Sequence, residues 1–454
     1  MDVWDVEGAW SEGGPIYARM YRRGAVLRAR RRFLEAALAF AQLARLWPES
    51  RAALHAGLAL RQAGRGELAL KVFALYARDH PADRLGWIGL GAGLAAAGRP
   101  EEAAVALGRA LRLKDSALVR RGYLECLHRA GRSAEARAEG HEILKEAHRA
   151  ATTAFLCSPL AKLALRPVPG RGFDPDHPGR NVISYAVPGR DGALLSGAIE
   201  NARRIGRIYP GWTGWFYCAP SVPPEVRATL RAEGARVIVM ARPGDRKQAA
   251  AWRLQVSDAP GVNVFLCRDV ESCPTELEYL AVRQWLVSDK HFHVMRGDPR
   301  HLDLMRGGLW GGVAGRLPPI PHLLAAAEGM DGTVPGATSF VSRTVWPMIQ
   351  HDVLVHDSAF GFRETRAFPC AARWPEDQPG AELPKVGAPL GKLPPWQEMV
   401  SPGPRQHRIR LGAGVGTFAD ATPGVTSGAT SGWGTAPGMA AGVARDTAPG
   451  AAAR

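Results

Sequence analysis

The sequence has few cysteines and no long apolar run. Its six cysteines are scattered over 454 residues without a CxxC pair, which excludes a cysteine-based zinc site and makes a reducing compartment the default. No stretch approaches the about 18 consecutive apolar residues of a transmembrane helix. The acidic first residues lack the apolar core of a signal peptide. These absences predict a cytoplasmic protein without a transmembrane segment.

The chain also lacks a phosphate-binding P-loop, an HExxH zinc motif and a hydrolase nucleophile elbow. Acidic residues are the minority among charged ones, because 43 Asp and Glu stand against 58 Lys and Arg, giving a net charge of +15. This surplus favours acidic partners such as nucleotides, anionic glycans, a membrane surface or nucleic acid. The arginines are dispersed and no RNA- or DNA-binding module is present, so nucleic acid is the least favoured partner.

What the chain does contain, over residues 21–150, is a repeat. Gly-Arg pairs beginning at Gly64, Gly98 and Gly131 recur at intervals of 34 and 33 residues. One unit carries a fuller pattern: Trp87, Leu90, Gly91, Leu94, Ala103, Leu107 and Ala110. That spacing resembles the tetratricopeptide (TPR) repeat, in which small residues let two helices approach and large ones fill the space between them. The resemblance, which is only partial in the first unit, implies an all-α solenoid of about four units that binds a protein or peptide partner or supports a neighbouring domain.

Composition divides the remaining chain into three parts. Residues 151–179 end in a stretch dense in Pro and Gly, which predicts a linker. Residues 180–374 alternate between strand and helix patterns, with strands at 181–187, 215–218, 236–240 and 262–268. Pro, Gly, Ala, Thr and Ser dominate 375–454, and this composition predicts a disordered tail.

The predicted fold class is therefore α plus α/β. Strands that alternate with helices favour a mostly parallel sheet with helices on both faces, a Rossmann-like α/β/α domain. This domain follows the all-α TPR-like solenoid and precedes the disordered tail.

The fourth predicted strand runs into an arginine and two acids, Arg268-Asp269-Val270-Glu271. In an extended segment alternate side chains point the same way, so Asp269 and Glu271 would present their carboxylates together. Such oxygens suit a Mg or Mn ion that also holds phosphates, and the carboxyl end of a strand is where an open α/β sheet binds ligands. The spacing alone favours a solvated acidic turn slightly over a site.

Short motifs follow one another in order through residues 180–370. They lie at 181–185, 197–202, 209–212, 237–240, 252–253, 258–262, 268–272, 293–296, 307–312, 346–347 and 356–358. No single motif is specific, but the ordered set resembles a bacterial GT-A-type glycosyltransferase-like family tied to surface polysaccharide synthesis. The resemblance implies a nucleotide-sugar donor across the carboxyl ends of the first strands, and a glycan or related acceptor.

The resemblance also implies a metal centre. Asp269 and Glu271 would hold a divalent cation, Mn or Mg, against the donor diphosphate, and Arg268 would be an anion partner. His356 would supply a late metal ligand, with Asp357 beside it as a further oxygen ligand.

Substrate contacts are implied at two further motifs. Trp252 would stack on the nucleotide and Arg253 would pair with its charge, although a buried core position is the more common role of such a tryptophan. Residues 307–312, beginning with Gly307 and Gly308, would form a close-approach loop beside the sugar or acceptor, with Trp310 as a stacking face.

Two departures from the family pattern bear on activity. Glu271 stands where the family usually has Asp, and Ala337-Thr338 stand where it usually has an Asp-Gln pair near the acceptor. Asp331 is the nearby acid that would replace the missing catalytic group. The leading hypothesis is a metal-dependent glycosyltransferase. The alternative is a non-catalytic TPR scaffold whose degenerate transferase domain is a glycan-binding or structural module.

Overall fold

The structure is a computed structural model of the chain. It describes residues 14–167, 172–241, 246–298, 300–331, 335–369, 386–387 and 389–400, with the backbone alone at 246–247 and 330–331. All the described residues belong to one compact unit.

Eight helices make up the N-terminal region, and each packs against the next. They are α1 (Gly14–Ala29), α2 (Phe33–Leu46), α3 (Ala52–Gln62), α4 (Gly66–Asp79), α5 (Arg84–Ala96), α6 (Pro100–Leu113), α7 (Ala117–Arg129) and α8 (Ser133–Leu156). The predicted helical repeat is thus confirmed, and it begins before residue 21. No helix in the described ranges is long and apolar enough to cross a membrane.

A small residue facing a large one sets the spacing inside each helical pair. The pairing recurs in three repeats: Gly24 with Phe40, Gly57 with Phe73, and Gly91 with Leu107. A Cβ atom on Gly57 or on Gly91 would lie 2.6 Å from the side chain opposite, so a larger residue would force the helices apart. Periodic glycines in the sequence therefore mark helix contacts.

The turns between paired helices require a left-handed backbone. Gly64, Gly98 and Gly131 have φ angles of +73°, +74° and +74°. The equivalent turn of the first pair places Arg31 at φ 61°, a conformation that costs a side-chain-bearing residue about 1–2 kcal/mol. This substitution explains why the first repeat is only partly recognisable from its sequence.

The second region is an α/β domain built on an eight-stranded sheet. Its strands are β1 (Asn181–Val187), β2 (Thr213–Cys218), β3 (Arg236–Val239), β4 (Val264–Arg268), β5 (Phe292–Arg296), β6 (Leu309–Val313), β7 (Val353–Asp357) and β8 (Thr365–Arg366). Its helices are α9 (Gly192–Ile208), α10 (Pro224–Ala232), α11 (Arg246–Ala251), α12 (Glu276–Leu286), α13 (Ile320–Asp331), α14 (Ala337–Phe340), α15 (Trp346–Ile349) and α16 (Trp396–Met399). The predicted α/β domain is confirmed.

The strand order is β3-β2-β1-β4-β6-β5-β7-β8. The chain first builds outward from β1 to β2 and β3, and then returns to place β4 on the other side of β1. This reversal leaves a crevice at the carboxyl ends of β1 and β4, where open α/β sheets bind ligands.

All strand pairs are parallel except those made by β6, which is antiparallel to both β4 and β5. The connection from β5 to β6, residues 297–308, contains no helix among its described residues. Gly311 and Gly312 lie within this strand, and Gly312 sits against the Phe292 ring. Four of the six residues of the predicted glycine-rich loop, 309–312, therefore belong to a buried strand.

The predicted linker at 151–179 is partly ordered structure. Helix α8 continues to Leu156, and a 3-10 turn follows at Pro159–Lys162. The amide of Arg166 donates to the Arg316 carbonyl over 2.7 Å, and Phe173 packs against Trp212 with ring centroids 5.7 Å apart. These residues are docked on their neighbours, because Pro and Gly exclude a regular helix but do not exclude docking. The linker role of 151–179 stays a prediction.

Helix α8 also joins the two regions. Gly140 lies against the Phe360 ring, which follows β7. The indole N–H of Trp346 donates to His148 Nδ1 over 3.1 Å, and Arg137 donates to the Ser358 carbonyl over 3.1 Å. The last helix of the solenoid is thus part of the core of the α/β domain.

Within the predicted tail at 375–454 the structure describes two short segments, and the predicted disorder of the tail stays a prediction. Residues 386–387 and 389–400 pack on the α/β domain, with Val386 and Met399 buried. The remaining predicted tail, 375–385, 388 and 401–454, lies outside the described residues. Individual apolar anchors in a polar stretch are enough for docking on a folded surface, and average composition does not reveal them.

The left-handed turn at Arg31 predicts a stabilising substitution. Arg31→Gly should raise the free energy of unfolding by up to about 1 kcal/mol, because relief of the strained φ exceeds the entropic cost of glycine. Chemical denaturation measures the change. The matched control is Arg30→Gly at a neighbouring residue without positive φ, which should not stabilise. Equal changes in the free energy of unfolding for the two variants would show that the backbone at Arg31 is not strained.

Candidate functional site at the carboxyl edge of the sheet

The candidate site lies where β4 ends beside β1. Strand β4 is buried at all five positions and pairs with β1 from Asn181↔Val264 to Ser184↔Cys267. Its last residue, Arg268, leads directly to Asp269 at the crevice formed by the change in strand order. The sheet therefore puts the predicted acidic motif at its ligand-binding edge.

Residues 269–272 form a turn. The Ser272 amide and hydroxyl both donate to the Asp269 carbonyl oxygen, each over 3.2 Å. The expectation that Asp269 and Glu271 point the same way because the chain is extended is therefore wrong, since the strand stops at Arg268. Turn geometry, and not strand alternation, sets the directions of the two carboxylates.

Arg253 is the centre of the site. It is 5% exposed, and its NH1 lies 2.7 Å from Asp269 Oδ1. Its Nε donates to the Gly307 carbonyl over 2.9 Å, and its own carbonyl accepts from the Ser184 hydroxyl over 2.9 Å. Arg253 thus connects three elements. Its guanidinium contacts the end of β4 and the loop before β6, and its backbone carbonyl contacts β1.

Two glycines allow that loop to approach. Gly308 lies against the Asp269 carboxylate, and a Cβ on Gly307 would be 2.8 Å from Arg253 NH2. The Gly307 amide donates to the Thr338 hydroxyl over 3.2 Å, which ties α14 to the same point. The predicted residues Arg253, Asp269, Gly307 and Gly308 therefore come together in space.

The two predicted aromatic contacts have different environments. Trp310 is fully buried and packs edge-on against Phe265, with centroids 5.1 Å apart and planes at 88°. It is a core residue, so the prediction that it offers a stacking face is wrong in this structure. Trp252 is half-buried and packs against two apolar clusters of the core, beside Arg253. Its stacking role stays a prediction.

Arg268 is internal. It is 2% exposed, and its Nε lies 3.4 Å from a carboxylate oxygen of Glu278, which is fully buried on α12. Burial works to lower the pKa of Arg268, but Tyr209 and Glu278 raise it above its ordinary value. Burial raises the pKa of Glu278. The predicted contact of Arg268 with a substrate anion is replaced here by a buried ion pair behind the site.

His356 lies at a distance from the acidic turn. It is on β7, and two strands, β6 and β5, separate β7 from β4, which corresponds to roughly 14 Å at about 4.8 Å per strand. Its Nδ1 is 2.8 Å from His293 Nε2 and its Nε2 is 2.9 Å from Gln284 Oε1. Both ring nitrogens are therefore engaged inside the domain.

Asp357, the next residue, holds a loop. Its carboxylate accepts from Arg296 Nε over 3.1 Å and from the amides of Ala359 and Phe360 over 2.9 and 2.8 Å. Both Asp357 and Arg296 are buried. Asp357 therefore has a structural role at the end of β7, where it fixes the loop beside the interface with the solenoid.

The four predicted metal ligands are therefore not gathered. Within the described ranges, no three His, Cys, Asp or Glu side chains come together as a metal-binding group. Asp269 and Glu271 share one turn, whereas His356 and Asp357 belong to β7. The predicted catalytic acid, Asp331, ends α13, and its side chain lies outside the described residues.

Three residues at or behind the site were not predicted. Ser184 holds the Arg253 carbonyl, Glu278 pairs with Arg268, and Gln284 holds His356. Ser184 occurs in a strand, and the other two are polar residues of an amphipathic helix. No sequence signal separates them from ordinary polar positions, because their partners are distant along the chain.

Comparisons with known proteins find only distant similarities. No protein-family model matches the sequence, and the search of curated proteins gives no match. Among solved structures, the chain is similar to MamA from Desulfovibrio magneticus RS-1 at 20% identity, covering 27% of this chain and 71% of that one, with a TM-score of 0.25.

Two further structures are a tetratricopeptide repeat protein from Parabacteroides merdae and a mutant O-GlcNAc transferase from Thermobaculum terrenum. The first is 15% identical, covering 30% of this chain and 54% of that one, with a TM-score of 0.27. The second is 18% identical, covering 56% and 45%, with a TM-score of 0.27. At these TM-scores the likenesses carry no argument about fold or function.

The buried histidines predict acid sensitivity. Burial, with a smaller contribution from Arg366, lowers the pKa of His356 from 6.5 to about 4. Burial also places the pKa of His293 well below its ordinary value. The unfolded chain therefore binds protons that the folded chain excludes. Stability is fully present above pH 6.5 and falls as the pH decreases toward 4, by on the order of 3 kcal/mol for His356.

Denaturation midpoints measured between pH 4 and 7.5 check this expectation. His356→Gln should reduce the slope of stability against pH by up to one proton. The control is His351→Gln, which changes an exposed histidine. An unchanged slope in the His356 variant would rule out the assigned neutral state.

Proposed function

We propose that the α/β domain binds a nucleotide-diphosphate sugar and transfers the sugar to a glycan or related acceptor. The observation that carries the proposal is the position of Arg253 and Asp269 at the crevice between β1 and β4, enclosed by Gly307 and Gly308. The ordered sequence motifs support the same function, because those at 181–185, 237–240, 268–272, 293–296 and 356–358 lie on or directly after strands of one sheet.

Arg253 is suited to hold a diphosphate. The planar guanidinium of an arginine is suited to bidentate contacts with phosphate oxygens. The Gly307 carbonyl and Asp269 fix its orientation before substrate arrives, so little ordering is needed on binding. A fixed positive charge at the diphosphate stabilises the leaving group as the bond to the sugar breaks.

A divalent cation, Mn or Mg, enters the proposal only through Asp269 and Glu271. Asp269 Oδ2 faces Gly308, while Oδ1 pairs with Arg253. His356 and Asp357 do not fit this centre, because other side chains of the domain hold them three strands away. A cation at the acidic turn would therefore take most of its ligands from the donor and from water, as Mg²⁺ commonly does.

The residues expected near the acceptor, Ala337-Thr338, favour a second candidate function, binding without sugar transfer. Thr338 has no carboxylate. Its hydroxyl accepts a hydrogen bond from the Gly307 amide over 3.2 Å. Ala337-Thr338, which replace the family's acidic pair, therefore lie at the site and leave it without a base there. Asp331 is the proposed replacement. Without one, the domain would bind a nucleotide sugar or glycan and not transfer it.

The solenoid contributes a separate proposal, a groove for an extended acidic peptide. A cavity of about 340 Å³ lies between α5 and α7 and is lined by small and apolar residues, among them Ala92, Ala95 and Gly122. Arg61, Arg129 and Glu125 also line it, and the surplus of arginine over glutamate favours acidic side chains on the peptide.

Donor titration tests the main proposal. The wild-type protein should bind UDP- or GDP-sugars in calorimetry, and Arg253→Ala should weaken binding roughly 10- to 100-fold, because a charge-assisted contact is lost and Asp269 is left to repel the diphosphate. Arg231→Ala, an exposed arginine on α10, is the matched control and should bind normally.

The same titrations decide the remaining roles. Binding that survives a chelator would remove the cation from the proposal. Binding without sugar release, in the wild type and in Asp331→Asn alike, would select the non-catalytic function. A wild-type protein that binds no donor, with or without Mn or Mg, contradicts both.

The groove has its own test. Selection from a library of acidic peptides should yield binders, and Ala95→Trp should abolish their binding by filling the cavity. Ala74→Trp, on the exposed face of α4, should leave binding unchanged. Equal binding to the two variants would place the peptides elsewhere.

A further inference from the structure

A segment near the C-terminus crosses the acidic turn. We call residues 386–387 and 389–400 the C-terminal strap. Pro389 makes an antiparallel bridge with Ser272, and the Leu390 amide donates to the Glu271 carbonyl over 2.9 Å. The strap therefore pairs, backbone to backbone, with the turn that follows β4.

Glu278 attaches the strap to the ion pair behind the site. One of its carboxylate oxygens accepts from the Gly387 amide over 3.0 Å, and the other lies 3.4 Å from Arg268 Nε. Glu278 is fully buried and Arg268 nearly so. A buried carboxylate needs such partners, so the strap and the last residue of β4 depend on the same side chain.

Both ends of the strap are anchored. Val386 is 1% exposed and packs in a cluster with Met295 and Leu309. At the other end, Arg203 NH2 donates to the Met399 carbonyl over 2.7 Å, and the Ser196 hydroxyl donates to the Pro394 carbonyl over 2.9 Å. The segment thus spans from β5 and β6 to α9 with the acidic turn beneath its middle.

The hydrogen bonds within the acidic turn are long, and from outside the turn the Asn201 side-chain amide donates to the Val270 carbonyl over 3.1 Å. The contacts of Ser272 with the Asp269 carbonyl are both 3.2 Å long and share one acceptor. The Asp269 side chain is 39% exposed, whereas its partner Arg253 is held from three sides. The direction of the Asp269 carboxylate therefore depends on what holds the backbone of residues 269–272.

We propose that the C-terminal strap is a positioning element that fixes the 269–272 turn, and with it the Asp269 carboxylate, against Arg253. Leu390 and Glu278 are its positioning residues, acting through the Glu271 carbonyl and the Gly387 amide. The role in donor binding rests on the proposed function, but the role in holding the turn does not.

Hydrogen exchange of the full-length protein tests the turn directly. Leu390→Pro removes the amide that donates to Glu271, while Leu390→Met keeps that amide and a similar apolar volume. The Ser272 amide should exchange roughly fivefold faster in the proline variant than in the methionine variant, as expected for loss of one hydrogen bond. Ser196→Ala, a milder change at the far end of the strap, should shift the same amide in the same direction.

Donor titration on the same variants separates the two proposals. Weaker donor binding in Leu390→Pro than in Leu390→Met, together with faster exchange, supports positioning of the site. Equal exchange in the proline and methionine variants, and no effect of Ser196→Ala, overturns the strap proposal whatever the donor result. Faster exchange in a protein that binds no donor leaves the strap in place and refutes the proposed function.

Discussion

The ion pair between Arg253 and Asp269 is the interaction on which the carboxyl edge of the sheet depends. A guanidinium that is 5% exposed carries a large desolvation cost, which a carboxylate at 2.7 Å and the Gly307 carbonyl offset. Removing either partner would leave a buried charge or carbonyl unsatisfied. The pair also explains the glycines at 307 and 308, since a side chain at either position would occupy its space. The same atoms therefore stabilise this edge of the sheet and form the candidate site.

The histidine contacts behind β7 extend this coupling to the solenoid. His356, His293 and Gln284 form a buried neutral hydrogen-bonded group, and Asp357 next to it holds the loop that meets helix α8. Protonation of this group in acid would introduce charge between the sheet and the helical region.

Sequence reasoning located much of the site because its motifs follow strands. Asp269 comes directly after β4, and the carboxyl end of a strand beside the reversal of order is a ligand site in any such sheet. Sequence reasoning failed where a residue's partner is distant along the chain. Trp310 and His356 have the composition of ligand contacts, yet Phe265, His293 and Gln284 enclose them. Nothing in their neighbouring residues indicates that burial.

Local physical chemistry determined the helical repeat and the alternating α/β pattern, since Gly57 against Phe73 and the positive φ of Gly64 are requirements of short segments. The tertiary structure decided the rest. It inserted β6 between β4 and β5, separated His356 from Asp269, and laid Leu390 across Glu271, 119 residues away along the chain. These contacts join elements through packing and buried hydrogen bonds, whose free energy depends on the whole fold and leaves no periodic signal in sequence.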